Sequence, residues 1–365
     1  MALVRALNIH VGPMARRHIE RFGLQPGDIA TIPGAAGGPK GLILGPLDRF
    51  IFGQWLSQTT QSVDLVGASI GAWRMATACL DNPVASFQRF EHDYIHQHYE
   101  LKSGEKRPSA AHVSAIFGQN LQSFFGGRVG EVLNHPRFRL HIMTTRGRHI
   151  LRRENRWRTP VGYLGAIATN TVSRKALGIW LERVVFSGRG VMLPFSTRDF
   201  RTCQVPLDDS NFKLALQASC SIPFVLQAIH NIPGAPRGAY WDGGLTDYHL
   251  HLNYAGSLPG VTQSGLVLYP HFQKSVVPGW FDKGLKWRHK SSSNLDNMVL
   301  LAPNPDWVRT LPNGKLPDRT DFTQYSQDFP GRVKAWNAAT SASGQLADEF
   351  EAWLLRPDPA LLQPL

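Results

Sequence analysis

The apolar positions of the first eighty residues alternate between short runs and helical stripes. Asp28–Pro33 is an apolar run of strand character, and it leads into a loop of small residues, Gly34-Ala-Ala-Gly-Gly-Pro-Lys-Gly41. Leu42, Ile43, Leu47, Phe50, Ile51 and Trp55 then recur at the spacing of one helix face. Ser62–Val66 is a second apolar run, Gly67-Ala-Ser-Ile-Gly71 a glycine-bounded turn, and Ala72–Leu80 a second helix stopped by Asp81-Asn-Pro83. Strand, loop, helix, strand, turn, helix is the order that predicts a parallel sheet covered by helices.

Beyond it, Val84–Tyr99 reads as a polar helix and Lys102–Pro108 as a loop. Strand-like runs follow at Phe138–Thr144, Phe200–Val205, Gly265–Tyr269 and Met298–Ala302. Phe212–Ser219 and Val333–Leu355 read as helices, and the Pro-, Asn- and Asp-rich residues 303–320 as loop. Val161–Ala168 and Ala176–Phe186 are apolar and helix-compatible. No repeat is visible, and no linker divides the chain. The fold class expected is α/β: a mainly parallel central sheet sandwiched by helices, with a C-terminal elaboration.

Composition narrows the function classes. The 365 residues are 42% hydrophobic and 18% charged, which excludes disordered, collagen-like and coiled-coil chains. Cys79, Cys203 and Cys220 are too scattered for a disulfide framework or a zinc site and read as buried free thiols. Neither a signal-peptide pattern nor an apolar run of about 18 residues is present, so a cytoplasmic protein is expected. The 39 Lys and Arg exceed the 27 Asp and Glu, giving a net charge of +12. Twelve basic and two acidic residues fall between Arg137 and Gly190, so this segment alone carries +10. Such clustering marks either a surface that meets an anion or a solvated face whose acidic partners fold in from elsewhere.

Three motifs carry chemistry. Gly67–Gly71 fits G-x-S-x-G between a strand-like run and a helix, the context of a nucleophile elbow with Ser69 at its apex. Its glycines, Gly67 and Gly71, permit the sharp turn. The loop Gly34–Gly41 lacks the second glycine and the Ser or Thr of a phosphate-binding loop. It offers instead the consecutive amides of Gly37 and Gly38 at the start of a helix, the makings of an oxyanion hole, with Lys40 to fix the loop or add charge. Trp241-Asp242-Gly243-Gly244 is a turn whose aspartate is placed to act as a base.

In this order the motifs resemble the patatin-like phospholipase family, which pairs a D-G-G-G-x-[RK]-G loop, a G-x-S-x-G elbow and a D-G-[GA] turn. Here the loop reads Ala35-Ala36-Gly37-Gly38-Pro39-Lys40-Gly41, with alanines in its first two positions and a proline that offers no N–H. Ala218-Ser-Cys-Ser-Ile-Pro223 is similar to the family's A-S-x-A-I-P stretch. The resemblance covers roughly residues 28–270, taken as the catalytic core. Residues 1–27 are then an N-terminal extension, about 137–190 a basic and apolar insertion, and 271–365 a C-terminal strand, loop and helix elaboration of the same domain.

The resemblance implies serine-dependent hydrolysis of lipid carboxyl esters, of phospholipase A or lysophospholipase type. Ser69 would be the nucleophile, Asp242 its base, and Gly37 and Gly38 the oxyanion hole, with Gly243 holding the turn. No cofactor and no metal is implied. The acyl-enzyme can also pass to an alcohol, as in an acyltransferase. Two other readings stay open: a Ser-His-Asp triad using His249, His251, His271 or His289, and a non-enzymatic binder of anions. The expected substrate is a lipid or acyl ester. Arg146, Arg148, Arg152, Arg153, Arg156 and Arg158 are the expected contacts to an anionic membrane or lipid aggregate. Nucleic acid is disfavoured, because no nucleic-acid-binding signature accompanies the charge.

Overall fold

The computed structural model describes residues 4–99, 108–254 and 265–365. Eleven strands among them form one mixed sheet. In chain order they are β1 (Leu7–Val11), β2 (Ile29–Gly34), β3 (Val63–Ala68), β4 (Phe138–Gly147), β5 (Leu181–Ser187), β6 (Thr202–Pro206), β7 (Ile229–His230), β8 (Ala239–Asp242), β9 (Leu266–Pro270), β10 (Met298–Pro303) and β11 (Leu362–Pro364). The order across the sheet is β11, β1, β10, β9, β2, β3, β4, β5, β6, with β8 paired to β4 and β7 to β8. The central run β10, β9, β2, β3, β4 is parallel throughout. β1, β5 and β8 enter antiparallel to their central neighbours. This is an α/β fold with a mostly parallel central mixed sheet flanked by helices.

Every residue of β3, β9 and β10 is buried, as strands covered on both faces require. The helix Ile70–Ala78 is buried along its whole length, even at Arg74, whose guanidinium is held by Asp48 at 2.7 and 2.8 Å. The tail packs back through the helix Gly344–Leu355, where Phe350 meets Phe50 and Trp55 edge-on.

Several expectations change. The segment 1–27 supplies β1, which lies inside the sheet between β11 and β10. The segment 137–190 contributes β4 and β5 to the sheet. The helix-compatible run Ala176–Phe186 ends in β5, which is buried on both faces and so reads as an unbroken apolar run. The tail helix breaks at Ser343 into Phe329–Ala342 and Gly344–Leu355. Residues 303–320 include a short helix, Pro305–Val308. Cys79 and Cys220 are buried, while Cys203 is only half-buried. The loop expected at Lys102–Pro108 lies, but for Pro108, outside the described residues. Among the described residues no helix is long and apolar enough to cross a membrane.

The fold also sorts the basic cluster. Arg139 pairs with Asp64 at 2.7 Å, Arg146 with Glu182 at 2.5 Å and Arg174 with Asp282 at 2.9 Å. Arg183 is fully buried between two carboxylates, Asp247 at 2.6 Å and Asp199 at 2.9 Å. Arg139, Arg174 and Arg183 therefore neutralise acids brought in from other segments, and Arg146 pairs with an acid of its own segment. Arg183→Met takes from the buried Asp247 its closest countercharge and leaves Arg174 at 3.5 Å, and we expect a loss of about 3 kcal/mol in stability by chemical denaturation. A change below about 1 kcal/mol would mean that Arg174, not Arg183, satisfies Asp247.

Candidate active site

The sheet register brings Ser69 and Asp242 together. β3 runs parallel to β4 and its pairing ends at Ala68 opposite Met143. β8 runs antiparallel along β4 and its pairing ends at Asp242 opposite Thr144. Two strands thus approach end to end beside one long strand, and the residues at their tips meet. Ser69 Oγ donates to Asp242 Oδ2 at 2.6 Å.

Local geometry fixes both groups. Ser69 has φ 56° and ψ −130°, a conformation that non-glycine residues avoid, and the helix Ile70–Ala78 starts directly after it. The turn closes because its glycines let backbones touch: a Cβ on Gly71 would stand 1.9 Å from the Gly34 carbonyl oxygen. A Cβ on Gly67 would stand 2.3 Å from the Ala72 Cα. Asp242 Oδ1 accepts the Gly244 N–H at 2.7 Å. Gly243 packs on β4, where a Cβ would lie 2.2 Å from the Met143 oxygen. Burial pushes the Asp242 carboxyl above its ordinary value, and the Ser69 hydrogen bond and the Arg319 charge oppose that rise.

Ser219, in the stretch Ala218–Pro223, joins the two halves. Its hydroxyl accepts the Ser69 N–H at 2.9 Å and donates to the Met143 oxygen at 2.7 Å. Its carbonyl accepts the Gly243 N–H at 3.2 Å, and the Ser221 carbonyl accepts the Asp242 N–H at 2.9 Å. Ser219 is a positioning residue that motif matching flagged only as part of a stretch.

The loop after β2 lies against both tips. Gly71 abuts Gly34 and Ala35, and a Cβ on Gly244 would meet the Ala36 Cβ at 2.7 Å. Ala36 is tied by its N–H to the Tyr248 oxygen at 2.9 Å. Among the described residues no acceptor takes the N–H of Gly37 or Gly38. Gly38 holds φ +58°, and a Cβ on Gly37 would strike the Phe272 ring at 2.4 Å. Consecutive amides without an acceptor are the kind of donor an oxyanion needs.

Three cations surround this loop, and only Lys40 was visible in the sequence. Lys40 Nζ lies 5.5 Å from the centre of the Phe272 ring. Lys283 Nζ lies 3.9 Å from that of Tyr248. Arg319 lies over Gly38, its Nε 3.1 Å from where a Cβ would be. Burial, then the positive charges of Arg319 and Lys40, push the Lys283 ammonium down to about 8. Burial also lowers Lys40, against the pull of Asp318. Ser69 and Asp242 are 3% and 6% exposed.

None of the histidines weighed for a triad hydrogen-bonds Ser69. His249 Nδ1 faces the Ser275 oxygen and the Val277 N–H, His251 is held by the Val276 oxygen and Ser292, His271 by Gln273, and His289 by the Asp282 oxygen. Burial lowers the imidazolium of His271 to about 3 and that of His249 well below its ordinary value. Among the described residues no group of three or more His, Cys, Asp or Glu is arranged to hold a metal ion. The predicted anion contacts lie elsewhere. Arg146 is spent on Glu182 and Arg148 on the Gly178 oxygen, while Arg152, Arg153 and Arg158 line a separate cavity and Arg156 stacks on Trp157.

No protein-family model and no curated protein sequence matches this chain.

Proposed function

We propose that the protein is a serine-dependent hydrolase of lipid carboxyl esters, of the patatin-like phospholipase A or lysophospholipase type, working through a Ser69–Asp242 dyad. The 2.6 Å hydrogen bond from Ser69 Oγ to Asp242 Oδ2, at the apex of a strained elbow, carries the reading. Ser69 Oγ attacks the ester carbonyl carbon as its proton passes to Asp242 Oδ2. The carbonyl oxygen gains the negative charge and is held by the Gly37 and Gly38 amides. Collapse of this adduct breaks the bond to the alkoxy oxygen, which takes the proton from Asp242 and leaves as the alcohol. Asp242 then removes a proton from water, whose oxygen attacks the acyl carbon; the bond to Ser69 Oγ breaks, Oγ takes the proton back from Asp242, and the acid leaves.

Lys40, Lys283 and Arg319 favour a substrate that carries a negative charge near the ester, as a phospholipid does. Activity as a function of pH tests both parts. Asp242 works as a base only when ionised, and its carboxyl lies above the ordinary 3.8. Activity on any ester therefore falls with falling pH, along a limb displaced upward from that value. Lys283 is charged only below about 8. With a phosphate-bearing ester kcat/KM should fall as pH rises through that value, and a neutral ester should lack this alkaline limb. Identical profiles for the two esters would remove the charge argument and leave the dyad in place.

A further inference from the structure

A cavity of about 430 Å³ opens beside Gly238, the residue before β8. Asp242 ends the same strand, four residues and roughly 13 Å further on at ordinary strand rise. The volume lies within the roughly 300–1,000 Å³ of small-molecule sites. Three separate stretches build the walls: His149, Ile150, Arg152, Arg153 and Arg158 from the segment after β4, His230 and Asn231 from the end of β7, and Arg237 and Gly238 from the loop into β8.

The lining holds four arginines and two histidines and no acid. None of Arg152, Arg153, Arg158 and Arg237 is in an ion pair among the described residues, in contrast to Arg146 and Arg183 close by. The nearby acid, Glu154, turns its carboxylate to the Ala228 N–H at 3.0 Å. Asn155 accepts the Trp157 and Arg158 N–H groups at 3.0 and 3.1 Å, so the helix start is already capped and the guanidiniums supply the charge. The walls are tightly built. Asn231 closes the hairpin by accepting the Gly238 N–H at 3.2 Å, and His149 and Asn231 both hold positive φ, 47° and 53°.

The four guanidiniums are exposed and converge on an open cleft, where an anion would offset their mutual repulsion. The planar guanidinium fork matches phosphate oxygens two at a time. We infer that this cavity is a binding site for a phosphomonoester dianion. The inference is independent of the hydrolase reading, because it concerns binding at residues that take no part in the dyad. Two sources offer the same chemistry, a small soluble phosphate compound and a phosphomonoester lipid head group. The second has physical support alongside the cavity. Trp157, which precedes the helix Arg158–Val172, and Val161 and Leu164 within it are 74%, 59% and 66% exposed, and the helix starts at the cavity. Exposed apolar side chains next to a basic cleft suit a lipid surface.

Titration calorimetry of the intact protein with inorganic pyrophosphate tests the pocket. Saturable binding is expected, weakened at least tenfold in Arg152→Gln/Arg237→Gln and by less than threefold in Arg156→Gln. The last removes one charge, against two in the double variant, from an arginine outside the cavity. Circular dichroism and thermal unfolding of each variant separate lost binding from lost fold, and Arg158→Gln serves as the second probe if the double variant does not fold. Co-sedimentation with phosphatidylcholine vesicles, with and without phosphatidic acid, distinguishes the sources. Capture that needs phosphatidic acid and the cavity arginines assigns the site to a lipid head group. Pyrophosphate binding without such capture assigns it to a soluble phosphate compound. Absence of pyrophosphate binding, or equal weakening by Arg156→Gln, overturns the inference whether or not the protein proves to be a hydrolase.

Discussion

Asp242→Asn should lower kcat/KM on an acyl ester by about 10²–10⁴-fold, the range contributed by a positioned general base. The side chain keeps its size, and its amide oxygen can still accept the Gly244 N–H that now binds Oδ1 at 2.7 Å. What disappears is the basic oxygen 2.6 Å from Ser69 Oγ. The comparison that gives this prediction its force is with the histidines. Gln variants of His249, His251, His271 and His289 that remain folded should keep activity within about threefold, since a general base must reach the proton it removes. A histidine variant that loses the burst of acyl-enzyme while Asp242→Asn keeps it would replace the dyad with a triad.

Ser69→Gly should abolish acyl-enzyme formation entirely, and its stability should depart from the usual rule. Glycine in place of alanine ordinarily destabilises a protein by about 0.5–1 kcal/mol, because the unfolded chain gains freedom. At φ 56° and ψ −130° an alanine Cβ is strained, and such conformations cost of order 1–3 kcal/mol. Ser69→Gly should therefore be more stable than Ser69→Ala by about 1 kcal/mol, measured by urea denaturation. Both variants lack the hydroxyl, so the difference isolates the backbone. The ordinary order, with alanine the more stable, would mean that the elbow relaxes once the hydroxyl is gone.

How much of this was legible beforehand depended on whether the information was local. β2, β3, β9 and β10 are short apolar runs bounded by turns, and their positions follow from the pattern within a residue or two. The elbow was legible because its glycines and serine sit between a strand and a helix in consecutive residues. β5 was not, because a strand buried on both faces has no alternation to separate it from a buried helix. β1 was hidden for a different reason: it pairs with β10 and β11, nearly three hundred residues away or more. Arg319 lies in the stretch that reads as loop and Lys283 where the pattern assigns no element, and only tertiary folding sets them beside Gly38 and Tyr248. The basic run misled in part. Composition fixes the charge of Arg146 and Arg183 but not their partners, and both are consumed by buried carboxylates. Arg152, Arg153 and Arg158, left unpaired, line a cavity whose other wall, His230 to Gly238, comes from a segment with no such cluster.

The central claim is that Ser69 is a nucleophile activated in place. Treatment of the folded protein with a fluorophosphonate probe, followed by intact-mass and peptide mapping, tests it most directly. A single adduct on Ser69 is predicted for the unmodified sequence, slower adduct formation for Asp242→Asn, and none for Ser69→Gly. An adduct that persists in Ser69→Gly, or a folded wild-type protein that gains none, would contradict the account.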